Sequence, residues 1–211
     1  MTVTLLVRRK LGALCFAVGG VGFFLTGALH PHVDGPTDYR VVLSTMMSAP
    51  VWVAAHEIAI VTGLVLATAL WLLIDADFGR ESLWSDVGSR LALVATMFMS
   101  AEFSVEAAAK ASPVLLALVD PMQTIGWPAL CLGYALLAAG AKNAAPFAVR
   151  CVGVVGAAAM GLAGILVVGL HVLNLEPLFL GGFLLALWMM WAGVRTSIAA
   201  SRQNVESMEV K

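Results

Sequence analysis

Apolar residues in this chain are grouped into six long blocks, separated by short polar segments that carry most of the prolines. A hydrocarbon core about 30 Å thick takes roughly 20 helical residues to cross. The blocks at approximately 11–29, 51–74, 91–109, 124–141, 147–173 and 178–197 meet that length. Pro31 and Pro36 follow the first block, Pro113 and Pro121 separate the third from the fourth, and Pro146 and Pro177 precede the fifth and sixth. The pattern predicts an all-α fold: one transmembrane domain over residues 1–211, built as a polytopic membrane bundle of six transmembrane helices.

Basic residues give this bundle a direction. Arg8, Arg9, Lys10, Arg80, Arg90, Lys142, Arg150, Arg195, Arg202 and Lys211 fall on one side of the predicted membrane, and Arg40 and Lys110 on the other. By the positive-inside rule both termini are expected to be cytoplasmic. Tyr39, Trp52 and Trp127 would then mark the outer interface and Trp84 the inner one. The first block follows Arg8-Arg9-Lys10 but is too long for a signal-peptide core and lacks a small-x-small cleavage site, so it reads as a retained span.

Composition supports the membrane assignment. Hydrophobic residues make up 61% and charged residues 12%, and the mean hydropathy is +0.94, whereas soluble proteins are about one quarter charged. A formal net charge of -1, without a basic patch, excludes nucleic acid as an expected partner. The expected partners are the lipid bilayer and, beyond it, another membrane protein or a second copy of the chain; the expected location is a bacterial inner or plasma membrane. Cys15, Cys131 and Cys151 all lie in apolar blocks and form no CxxC pair, so they read as packing residues. No nucleophile elbow and no phosphate-binding loop is present.

Chemistry is suggested only by polar residues that converge on the expected outer half. His30 and His32 close the first block, His56 opens the second, and His171 closes the fifth. On the third block Met99, Glu102 and Glu106 share one helical face, with Lys110 a turn beyond. A carboxylate in hydrocarbon is costly unless protonated, paired or bound to a metal, so this face should point into the bundle. Without a metal, Lys110 is expected to reach to the interface and pair with Glu106, leaving Glu102 protonated or hydrogen-bonded. His56 and Glu57 are adjacent and project about 100° apart, so both cannot face one small site; His56 is the better ligand candidate because Trp52 and Gly63 lie on its face and suggest a packed interior stripe. The segment 33–50 and the segment from Ser112 to Met122 are apolar enough to lie along the interface as a cover for this cluster. Glycines in the first and fifth blocks imply either close helix packing or room for a flat cofactor.

Histidines beside carboxylates suit a transition metal ion, and two histidines on different helices suit haem b. The expected ligand set is His56 and His171, then His30, with Glu102 and Glu106 as further metal ligands and His32 as the least favoured. The segments Leu29-His30-Pro31 and Ala49-Pro50-Val51-Trp52-Val53-Ala54-Ala55-His56 resemble the opening of a broad group of bacterial six-span membrane proteins without assigned function. That resemblance covers chiefly the first two spans; it implies the same fold type and a pairing of His30 with His56. Three functions remain open from sequence: a membrane-embedded metal or haem protein such as a redox component; a proton-coupled transporter using Glu102 and Glu106; or an accessory subunit of a larger membrane complex.

Overall fold

In the computed structural model the described residues are 3–31, 39–76, 82–142 and 144–209, and they form a helical bundle. The helices are α1 (Val3–Leu29), α2 (Tyr39–Ser48), α3 (Trp52–Asp75), α4 (Leu83–Ala109), α5 (Leu116–Gly140), α6 (Phe147–Ala163) and α7 (Gly181–Glu209). Six helical segments are long and apolar enough to cross a membrane: Thr4–Leu29, Trp52–Asp75, Leu83–Ala109, Pro113–Gly140, Phe147–Gly169 and Leu173–Gln203. The long helices pack in a closed ring, α1 on α3, α3 on α4, α4 on α5, α5 on α6, α6 on α7 and α7 on α1. Every backbone group in lipid must be satisfied within its own segment or by neighbours, and a ring of continuous helices meets that demand.

Helix boundaries depart from the sequence expectation where capping or local geometry overrides hydropathy. α4 begins at Leu83, eight residues before the expected 91, because Ser82 caps it: the Ser82 hydroxyl accepts from the Ser85 amide at 3.1 Å, and Asp86 sits in the first turn. Pro121 does not break the chain between spans. It lies inside α5 together with Pro128, since the neighbouring helices of a membrane bundle support a helix that has lost single backbone bonds. The fifth span ends at 169 rather than 173, closing in a π-helical turn over Gly164–Gly169.

Close backbone approach explains most of the glycines. A Cβ on Gly88 would lie 2.4 Å from the Leu137 amide nitrogen, and one on Gly133 2.5 Å from the Ala92 nitrogen, so α4 and α5 touch almost backbone to backbone. In the first and fifth blocks the same holds at Gly19 against Leu66 and at Gly156 against α7, which favours the packing reading over room for a cofactor.

The two halves of the ring differ inside. Toward the end that carries Arg8, Asp75 and Arg90, the interior is filled by Phe16, Leu70, Leu73, Leu137, Trp188 and Met189. Phe16 packs edge-on against Trp188 at 5.6 Å between ring centroids. Arg8 pairs with Asp75 at this end, and Arg90 with Asp86 at 3.1 Å. The histidine end is hollow, and the sequence-predicted cover is there in part: α2 crosses it with Val42 and Met47 buried.

The glycine contacts generate a stability test. Gly133→Leu is expected to overpack the α4–α5 seam and to cost about 1–3 kcal/mol, read as a lower unfolding midpoint of the purified protein in detergent. Gly27→Ala should change the midpoint little, because its Cβ would meet Phe183 at an ordinary 3.6 Å.

Candidate functional site

α4 turns its polar face inward as its spacing requires: Met99, Glu102 and Glu106 are 2%, 0% and 3% exposed. His56, one turn into α3, is 1% exposed, while its neighbour Glu57 faces outward. The two helices meet at these residues. His56 Nε2 lies 3.0 Å from Glu106 Oε2, and His56 Nδ1 lies 2.7 Å from the backbone carbonyl oxygen of Trp52. A carbonyl only accepts, so Nδ1 carries a hydrogen. The contact to Glu106 then needs one more proton between the two groups, on the ring or on the carboxyl, and the pair is saturated in either form.

Glu106 collects two further donors. The Gln123 side-chain amide on α5 donates to Oε1 at 2.8 Å, and the Trp52 indole N–H donates to the Glu106 backbone carbonyl at 3.2 Å. Lys110 does not serve as the partner of Glu106; its ammonium donates to the Ala49 carbonyl at 3.0 Å, tying α4 to the turn before α3. Glu102 is the exception in this network. Neither of its oxygens has a hydrogen-bond partner, and Glu106 and Gln123 are the polar groups that act on it.

Histidines other than His56 stand at the rim. The His30 ring lies 5.5 Å from that of His56, so the pairing implied by the opening motif is a ring contact, and His30 Nδ1 is 3.2 Å from the Pro31 carbonyl. His171 is not in a helix as expected. It follows the π-turn in an irregular segment, with φ of 56°, and the Val172 amide reaches back to the Leu166 carbonyl at 2.8 Å. A left-handed residue with a long backward hydrogen bond is a helix stop normally given to glycine or asparagine, so His171 occupies a structural corner as well as facing the cavity. His32 lies outside the described residues.

These groups border a cavity of about 1090 Å³ in the histidine half of the ring. On α3 its lining runs from Trp52 to Leu66, roughly 20 Å of helix at 1.5 Å per residue. His30, Glu106, Gln123, His171, Asn174 and Glu176 face it at the rim, and Tyr134, hydrogen-bonded to Thr96 at 3.1 Å, lies at the closed end. Between them the wall is hydrocarbon and aromatic. Trp52 and Trp127 are buried and line this wall; they are not the interfacial anchors their positions suggested, because the indole of Trp52 is drawn inward to Glu106. Trp84, at the opposite end, is exposed as expected.

Among the described residues no group of three or more His, Cys, Asp and Glu side chains is arranged to hold a metal ion. Of the expected ligands, His56 and Glu106 meet directly, Glu102 stands behind them, and His30 and His171 face the same cavity from α1 and from the segment after α6. For His56 to bind a metal, one of its two hydrogen bonds must first break. Gln123 and Phe103 are site residues that sequence reasoning missed. No known protein family, curated protein or solved structure matches this chain.

Removing one partner from a buried pair leaves the other polar group without compensation, at about 3 kcal/mol or more. His56→Ala and Glu106→Ala are each expected to destabilise by that order. The double variant should cost clearly less than their sum, with a coupling of about 1–3 kcal/mol in a double-mutant cycle, measured by reversible unfolding. Additive costs would show that the contact carries no energy.

Proposed function

We propose that this is an integral membrane protein whose cavity holds a lipophilic small molecule, its polar end at Glu106 and Gln123 and its apolar body running into the bundle. The observation that supports it is the cavity itself: about 1090 Å³, at the upper end of the roughly 300–1,000 Å³ typical of small-molecule sites, with apolar walls and a few convergent polar groups. Its walls are mainly hydrocarbon and aromatic and offer water few hydrogen-bond partners. An occupant with an apolar body is therefore favoured. His56 acts on this reading as a positioning residue, holding the Glu106 carboxyl at the wall without facing the cavity itself.

The basic residues at the end opposite the cavity support an orientation in which both termini are cytoplasmic and the cavity opens toward the outer leaflet. Single cysteines replacing Ser48 and Lys142, in a chain freed of its native cysteines, test this with a membrane-impermeant thiol reagent. Residue 48 should label in intact cells and residue 142 only after permeabilisation; the reverse pattern would invert the topology.

Ligand binding is tested by extracting the purified protein and identifying what leaves with it by mass spectrometry. A lipophile at stoichiometric ratio is expected, and Ala59→Phe, which fills the cavity wall where Ala59 lines it, should reduce the amount while the fold persists. A Soret band or stoichiometric metal would instead favour the haem or transition-metal reading through His30, His56 and His171. Neither lipophile nor metal would favour the accessory subunit.

A further inference from the structure

Polar groups line the cavity at two depths. The upper level is the rim with Glu106 and Gln123. The lower is a pair of hydroxyls at the closed end, Thr96 on α4 and Tyr134 on α5, which are 3% and 0% exposed and lie 3.1 Å apart. Both side chains line the cavity. From Glu106 back to Thr96, α4 covers about 15 Å, and from Gln123 on to Tyr134, α5 covers about 16 Å, at about 1.5 Å per residue. The two helices thus carry matched polar levels at the same separation.

Counting hydrogens at the lower level leaves a donor over. Each hydroxyl carries one hydrogen, and the contact between them uses one of the two, whichever group donates. Among the described residues neither side chain makes a second hydrogen bond. The Ser100 hydroxyl, also on the cavity wall, donates to the Thr96 backbone carbonyl at 2.9 Å, so its oxygen remains available to accept. Beneath the pair the packing is apolar, with the Phe16 ring 6.3 Å from that of Tyr134. Phenylalanine and valine would fill the same space without a polar group to satisfy, and a buried tyrosine hydroxyl is ordinarily partnered. A hydrocarbon chain reaching this depth would leave the spare hydrogen unpaired, which is costly where water is excluded. A ligand oxygen at the same place would take it.

We infer that the occupant is polar at both ends: its head sits at Glu106 and Gln123, and its apolar body carries a second oxygen, as hydroxyl, ether or carbonyl, about 15 Å deeper, bonded to the Thr96–Tyr134 pair. The inference rests on the lipophile-binding reading and adds the chemistry of the buried end. Thr96 and Tyr134 are then specificity residues, because a molecule of matching shape that lacks the second oxygen fits the space but leaves the pair unsatisfied. Ser100 Oγ offers an acceptor to a hydroxyl at that end.

The test uses the full chain in a neutral detergent and two probes that differ only at the far end, dodecanol and its α,ω-diol, with binding measured by equilibrium dialysis against protein-free micelles. Relative to micelles, the diol is expected to bind about fivefold more tightly than the mono-alcohol. Since either hydroxyl can supply the hydrogen, the informative variant removes both. Thr96→Val/Tyr134→Phe replaces the pair by apolar groups of similar shape, and it should abolish the diol preference while leaving dodecanol within about threefold. Equal binding of both probes by the unaltered protein, a diol preference that survives in the double variant, or parallel loss of both probes in a folded variant overturns the inference and leaves the pair to a bound water. The lipophile extracted from the unaltered protein gives a reading independent of any variant: an oxygen remote from the head is expected, and a plain hydrocarbon tail contradicts it. Absence of binding by either probe, together with no extracted lipophile, overturns the underlying reading as well.

Discussion

Glu106 places an acidic group in the part of the chain that would otherwise be surrounded by hydrocarbon, and the organisation of this half of the bundle follows from keeping that group partnered. Its two carboxyl oxygens are hydrogen-bonded to α3 and α5, through His56 and Gln123, while its backbone carbonyl takes the indole of Trp52. Three helices are thereby held at one depth by polar contacts that lipid cannot replace. Helix association in membranes gains little from apolar burial alone, so a directional contact of this kind specifies which faces meet.

Polar contacts at one level and packing at another divide the ring. Below the Tyr134 level, close glycine contacts and interlocked aromatic rings close the interior. Between that level and Glu106 the middle of the ring stays open, lined by side chains of α3, α4 and α5. The cavity is thus a consequence of how the polar residues are satisfied: Glu106 is bonded sideways to its neighbouring helices and leaves the centre of the ring to an apolar occupant. α2 and the segment around His171 border the rim.

Much of the architecture was legible in the sequence because hydropathy over twenty-residue windows reports lipid contact directly. Six spans, the inward face of Glu102 and Glu106 and, in residues 39–48 of the expected segment 33–50, a short helix at the cavity mouth follow from length and helical periodicity. The misplacements have local causes. Pro121 looks like a breaker, yet a helix supported on both sides by other helices tolerates it. Trp52 and Trp127 sit at interfacial depth but turn inward; for Trp52 its place on the His56 face of α3 signals this, whereas its indole's partner, the Glu106 carbonyl on another helix, does not show in a single-helix pattern. Gln123 was passed over as the edge of a loop, although an amide inside an apolar stretch is itself a signal of a buried partner. His171 was read as a rigid helical residue, and the π-turn that displaces it arises where Gly164 lets Trp127 press against α6, a contact between segments far apart in sequence.

The account stands on the claim that the hollow half of the ring is an occupied binding site anchored at Glu106. An experimental density map of the protein purified directly from its native membrane, at a resolution that shows side chains, tests this most directly. The account predicts elongated density inside the ring, with one end within hydrogen-bond distance of Glu106 or Gln123 and the His56–Glu106 contact intact. A collapsed interior with the cavity filled by the protein's own side chains, or a metal bound by His56 in place of Glu106, would contradict it.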